Sequence, residues 1–364
     1  MSLPETRLAR TFLTATGFTT ARQVVRALGA VQAQDYEGAK WGIAQRATGL
    51  RDADLDGDFD QGRLLRTHIL RPTWHLVDPV DIRWLLALTA PHVKRTMATY
   101  DRQLGLDEPT FRQSRSALER ALRDRDFLTR TEIKAVLLRA RVGPLGVQQT
   151  AHLLMRAELD GLIVSGPRRG KQFTYALLDE RVLSTPLPDR DWSLRELALR
   201  YFRTRGPATA SDFSWWSGLR MPDVTRAVEA SRDALDHADV RGTRYFDGGG
   251  AVPRRRPSAH LLPNYDEFFI GYRDRSAIGQ RLGTVNVVTG GSAQISNVVV
   301  VNGQLVGGWR RTVRQQGVRL NLRLATSLTP AERSRVQRAV RRYEAFLDMP
   351  VRVEWFPVRR LHHR

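Results

Sequence analysis

One succession of elements recurs along the chain and constrains its fold more than any other feature: two helical stretches followed by a hairpin. The clearest copy lies in the middle. Residues 131–137 read as a helix with Thr129 or Thr131 as its cap. Residues 146–161 then carry Val147, Ala151, Leu154, Met155 and Leu159 at helical spacing. Residues 162–165 and 172–177 flank the turn Gly166-Pro167-Arg168-Arg169-Gly170-Lys171, giving a β-hairpin with a basic tip. Helix, helix and basic hairpin in that order is the pattern of a winged helix-turn-helix.

The pattern returns on both sides. Residues 193–204 open Ser-Leu-Arg-Glu, a capping-box sequence, and further helices from Gly206 and over 221–231 lead to strands around Val240 and 244–246. The N-terminal part offers helices near 9–15, 20–28 and 36–47, with 67–71 and 73–77 as its hairpin. From about residue 258 alternating runs take over, 284–289, 293–301, 304–312 and 317–324, parted by Gly290-Gly291 and Asn302-Gly303 turns. A helix over 329–347, with proline in its first turn, and a strand over 351–355 close the chain. The expected fold is α+β: three tandem winged helices in 1–105, 106–186 and 187–257, then a β-rich, barrel-like domain in 258–364.

Charge narrows the partner. The formal net charge is +20 and is spread along the chain, so a polyanion such as nucleic acid is the expected partner. Only four of the 58 basic residues are lysines. A GC-rich coding sequence accounts for that ratio but not for the surplus charge. No apolar run approaches the roughly 20 residues that span a bilayer, and the first residues lack a signal pattern, so a cytoplasmic location without membrane contact is expected. The chain has no cysteine, which excludes disulfides, thiolate zinc sites and a cysteine nucleophile. No metal or other cofactor is expected.

Four segments carry candidate chemistry. Gln32-Ala33-Gln34 follows the second N-terminal helix, and such a pair is ordinarily just polar residues capping backbone groups. Residues 66–77 pack two histidines, two arginines, two threonines and a tryptophan into twelve positions, which by itself describes a strand with a core face and a surface face. Residues 262–275 mix acids, aromatics and arginines, as a domain hinge with an internal Asp–Arg pair would. Gly307-Gly308-Trp309-Arg310-Arg311 reads as a strand presenting arginines beside an aromatic.

Together and in this order the four segments resemble the AlkZ-like winged-helix DNA glycosylases, over roughly residues 5–355. The resemblance implies a C-shaped clamp on duplex DNA, with Gln32 and Gln34 as the catalytic residues. Gln34 in place of the aspartate of the YcaQ branch is similar to the AlkZ branch, associated with self-resistance to DNA-alkylating natural products. His68, Arg71, Thr73, Trp74, His75 and Asp266 are then expected around the lesion. Arg66, Arg168, Arg169, Lys171, Arg273, Arg275, Arg310 and Arg311 are expected on DNA. The partner would be double-stranded DNA with an alkylated guanine, gripped by a monomer. Two amides suffice chemically, because alkylation at guanine N7 makes the base a cationic leaving group that needs no added proton; positioning a water and orienting dipoles is what remains. The rival readings are a winged-helix transcriptional regulator and a non-catalytic binder of lesion or drug.

Overall fold

The computed structural model describes residues 2–14, 17–143, 145–250, 256–282 and 297–356. Its first part runs α1 (Leu3–Arg10), α2 (Ala21–Leu28), β1 (Val31–Gln32), α3 (Tyr36–Ala44), α4 (Asp52–Asp60), β2 (Leu65–Ile69), β3 (Arg71–Val77) and the long α5 (Ile82–Gln103). The second contains α6 (Glu108–Ala121), β4 (Leu128–Thr129), α7 (Arg130–Arg139), α8 (Val147–Leu159), β5 (Ile163–Ser165), β6 (Thr174–Leu177) and α9 (Leu178–Arg181). The third contains α10 (Arg190–Arg205), α11 (Ala210–Ser217), α12 (Met221–Glu229), β7 (Asp236–Val240) and β8 (Thr243–Asp247). In each part a helix precedes a short extended segment, two helices and a hairpin. That segment pairs with the hairpin's second strand, giving the orders β1-β3-β2 and β4-β6-β5, and in the third part a bridge from Ala208 to Phe246 of β8.

Local chemistry sets the boundaries. Thr20 caps α2 through a reciprocal box with Gln23, and Gly29 at φ +82° ends it, turning the chain directly into β1. Thr129 and Glu132 form the same box at α7. Helix α10 begins three residues earlier than the Ser-Leu-Arg-Glu signal indicates, because Asp189 caps it by accepting from the Trp192 amide at 2.7 Å. Helix α1 ends at Arg10, short of the stretch expected to 15.

Helix α4 has no counterpart in the sequence reading. Its run of aspartates is a weak helix former, and it stands because Leu55 and Phe59 are buried while Lys40 sits 2.9 Å from each of Glu37, Asp52 and Asp56.

The C-terminal part is one open sheet in its described strands rather than a barrel. Strands β9 (Ala259–Leu262), β10 (Val298–Val301), β11 (Gln304–Arg314), β12 (Gly317–Leu324) and β13 (Val351–Phe356) lie in the order β13-β12-β11-β10-β9. Helix α13 (Glu267–Ile270) follows β9, and helix α14 (Pro330–Leu347) makes the crossover that lets β13 run parallel to β12. The strand expected over 284–289 lies outside the described residues.

Two cores meet at the β2–β3 hairpin. Trp41, Phe59 and Leu76 pack with Val299 and Trp309 of the C-terminal sheet and with Tyr343 of α14. Leu65, Ile69 and Val77 pack instead with Tyr201, Phe213 and Trp216 of the third part. The alternation of the strands thus aims one face at each body.

Candidate active site

Register builds the site. Gln32 of β1 pairs with His75 of β3, and His75 pairs with Thr67 of β2, so the three side chains form a row on one face. Thr73 and Arg71, two and four residues back along β3, extend that face. Gln32 is 5% exposed, and His75 and Thr67 are fully buried. Four polar atoms here, Thr67 Oγ1, Thr73 Oγ1, Arg71 Nε and His75 Nε2, are buried without a hydrogen-bond partner. Each such atom costs roughly 1–3 kcal/mol when left unpaired. A core does not concentrate that penalty on one strand face; a site does.

The amide of Gln32 is held from two directions. Its Oε1 accepts from Arg71 Nη2 at 2.8 Å, and since arginine only donates, this fixes which end of the amide faces it. Its backbone N–H donates to Glu267 Oε1 at 3.2 Å. Glu267 is itself clamped, its Oε2 accepting from Arg205 at 2.5 Å and from Trp216 Nε1 at 2.9 Å. Arg66 lies between the rings of Trp74 and Phe173 and donates to the carbonyl of Ala33, between the two glutamines. Gln34 is exposed. Asp35 follows it and caps α3, which turns the chain out of the sheet; Gln34 Oε1 meets the Trp74 amide at 3.4 Å.

His75 is neutral. Its Nδ1 lies 2.9 Å from the Thr73 carbonyl, which can only accept, so Nδ1 carries the proton and Nε2 keeps a lone pair. Burial, with Arg71 nearby, drives its pKa well below the ordinary 6.5. Burial likewise takes His260, on β9 of the C-terminal sheet, down to about 3. The unfolded chain protonates these rings below pH 6.5 while the folded one does not. The resulting penalty is absent above pH 6.5 and grows as pH falls towards the folded pKa, by about 1.4 kcal/mol per unit for each ring. Unfolding measured from pH 7 to 5 should therefore show stability falling, with a shallower fall in His260→Gln.

Several expected residues lie elsewhere. Both oxygens of Asp266 bind Arg46, at 2.7 and 2.8 Å, in a fully buried pair, so it supports the fold; the carboxylate facing Gln32 is its neighbour Glu267. A buried acid in the 262–275 run was the available signal, one position off. His68 pairs with the buried Glu158 and lies tilted against the Trp74 ring, facing away from the Gln32 row. Arg66 is buried and positions backbone rather than DNA. Arg168, at the second hairpin, pairs with Asp56 and Glu37 of the first part, tying the two together. Arg169 pairs with Glu132, and Arg311 donates to the Tyr343 hydroxyl. Lys171, Arg273 and Arg310 are exposed and stay available to a polyanion. Arg275 lies with Arg71 near Trp215, a residue the sequence reading passed over.

Comparison with known proteins decides the family. A family profile described as DNA glycosylase AlkZ-like matches residues 25–346. The chain belongs to the AlkZ-like DNA glycosylase family. It is therefore an enzyme, and the transcriptional-regulator reading gives way. A curated relative from Streptomyces sahachiroi, an interstrand DNA cross-link repair glycosylase, is 25% identical over 325 residues, covering 83% of this chain and 85% of its own. The solved structure of the Streptomyces sahachiroi DNA glycosylase AlkZ superposes with a TM-score of 0.78 at 22% identity, over 97% of this chain and 100% of that one. This AlkZ-like enzyme thus shares the α+β fold of that structure. Among the described residues no helix is long and apolar enough to cross a membrane, and no cluster of His, Asp and Glu has the makings of a metal site.

Proposed function

We propose that the Gln32 row is the catalytic centre of a monofunctional glycosylase that hydrolyses the N-glycosidic bond of N7-alkylguanine in duplex DNA. Its substrates are bulky natural-product adducts, interstrand crosslinks or both, and its role is repair and self-resistance to a genotoxic natural product. The observation that carries the reading is the set of four unpartnered buried polar atoms around an anchored amide. The Streptomyces sahachiroi relative, an interstrand DNA cross-link repair glycosylase, supports crosslinks as substrate.

In this reading the C1′–N9 bond breaks with its electron pair passing to the cationic base. Water then forms the new bond at C1′ and releases a proton. Arg71 uses one lone pair of Gln32 Oε1, and the second stays free to orient that water. Exposed Gln34 completes its seat, and the neutral His75 adds an acceptor in the same row. A lyase step through an amine has no support. Burial would lower the pKa of Lys40, but its carboxylate cage outweighs burial and holds it raised and protonated.

We further propose that the three repeated parts are winged-helix modules dividing near 105/106, 186/187 and 257/258, clamped by one chain on the duplex. Lys171→Ala should make the slope of log affinity against log salt shallower by about 0.9, as loss of one phosphate contact requires. Arg168→Ala should leave that slope unchanged and lower stability, since its guanidinium is spent on Asp56. The test of the function is incubation with duplexes carrying N7-methylguanine, a bulky N7-guanine adduct or a crosslink, followed by cleavage at abasic sites. Abasic sites above spontaneous depurination support it; none from any of the three overturns it.

A further inference from the structure

Trp215 stands apart from the other tryptophans near the Gln32 row. Trp216 beside it is fully buried, whereas Trp215 is 44% exposed. Its ring is nevertheless fixed. The indole Nε1 donates to the Ile270 carbonyl at 3.1 Å, anchoring one edge to the C-terminal part. Three residues on, Gly218 at φ +71° ends α11 against the β2–β3 corner. A Cβ at Gly218 would lie 2.1 Å from the Leu70 carbonyl oxygen, so only glycine lets the helix end approach the hairpin corner this closely. That contact places Trp215 beside Arg71, the first residue of β3 and the partner of Gln32.

Two cations lie over the ring at long range. The guanidinium carbons of Arg71 and Arg275 lie 5.9 and 5.6 Å from its centroid, against 4.2 Å for the tight stack of Arg66 on Trp74. Among the described residues neither Arg71 nor Arg275 has a carboxylate within ion-pair distance, unlike Arg46, Arg168 and Arg205. Arg275 spends its Nε on the Phe269 carbonyl, which orients the fork. A preset aromatic face between two unpaired guanidiniums matches one ligand chemistry: a flat ring with phosphate close by.

We propose that Trp215 is a stacking platform for a flat aromatic ring of the damaged nucleotide, with Arg71 and Arg275 receiving its flanking phosphates. The inference rests on the reading of Gln32 as the reacting centre and adds the surface that would hold the lesion there. An alkylated guanine suits the indole face doubly, because its positive charge adds a cation–π attraction to stacking. The ring on Trp215 is either that base or an aryl group carried by the adduct.

The test is equilibrium binding to uncleavable duplexes. These contain 2′-fluoro-2′-deoxyguanosine alkylated at N7 with methyl or with benzyl, beside the undamaged duplex. Trp215→Ala is expected to lose about 10- to 100-fold in affinity for a lesion duplex, the range of one base stacked on an aromatic side chain. Trp215→Phe should keep most of that affinity, and binding to undamaged DNA should hold. A loss on both lesion duplexes places the alkylated base on the ring, and a loss confined to the benzyl duplex places the adduct there; both support the platform. Wild-type lesion affinity in Trp215→Ala, or an equal loss on undamaged DNA, overturns it alone. A wild-type protein that does not prefer lesion duplexes overturns the functional reading as well. Should the alanine variant melt early, the phenylalanine variant decides, since it keeps an aromatic face but loses the hydrogen bond to Ile270: undiminished lesion preference supports stacking, and its complete loss contradicts it.

Discussion

Glu267→Ala is expected to lower folding stability by about 3–5 kcal/mol, the range for breaking a buried ion pair from one side. Arg205 is fully buried and donates to Glu267 through both Nε and Nη2, so removing the carboxylate strands a charge in the core. Trp216 Nε1 and the Gln32 N–H lose their acceptor in the same step. Glu267→Gln should cost less, because it keeps an acceptor oxygen while still leaving Arg205 uncompensated. Denaturant unfolding of the three proteins measures this. A loss under about 1 kcal/mol for Glu267→Ala would mean that this carboxylate does not join the first, third and C-terminal parts.

The parts of this protein that were legible in the sequence are those fixed by local chemistry. The helix–helix–hairpin order around 130–177 follows from caps, spacing and a Gly-Pro turn, and it appears with its strands at Ile163–Ser165 and Thr174–Leu177. The Asn302-Gly303 turn, both residues at positive φ, joins β10 and β11 as that dipeptide requires. Helix α4 was illegible because its run of aspartates is a weak helix former that is held in place by Lys40, twelve positions before its first residue, beside the burial of Leu55 and Phe59. The same limit applies to the site. The Gln pair stands out as a motif, but nothing local tells that Gln32 is buried on Arg71 while Gln34 faces outward. Asp266 and Glu267 are adjacent acids in one run, and only the fold reveals which one turns towards Arg46 and which towards Gln32. Arg168 sits at a hairpin tip, where a DNA contact is the natural expectation; the acids that claim it are more than 100 residues away.

Gln32→Ala is expected to slow excision of an N7-alkylguanine by about 100- to 1,000-fold, the size of effect seen when one preorganised dipole is removed from a reacting centre. Its interpretation needs a control, because Gln32 is 5% exposed and its loss leaves Arg71 Nη2 without its acceptor. About 1–3 kcal/mol of stability should go with it. Gln32→Glu separates the two effects: a carboxylate keeps a partner for Arg71 and the fold, but changes the charge beside the reacting carbon. Single-turnover rates at saturating protein, read beside unfolding curves, give both quantities for each variant.

Gln34 offers the cleaner measurement, because it is exposed and only its Oε1 touches the Trp74 amide. Alanine there should leave stability within about 0.5 kcal/mol of wild type. The decisive experiment is therefore the single-turnover rate of abasic-site formation by Gln34→Ala on a duplex with one N7-alkylguanine, with DNA affinity measured in parallel. The expected result is a fall of about 100-fold or more at unchanged stability and affinity. A wild-type rate would contradict a catalytic role for Gln34 and move the chemistry away from the paired amides.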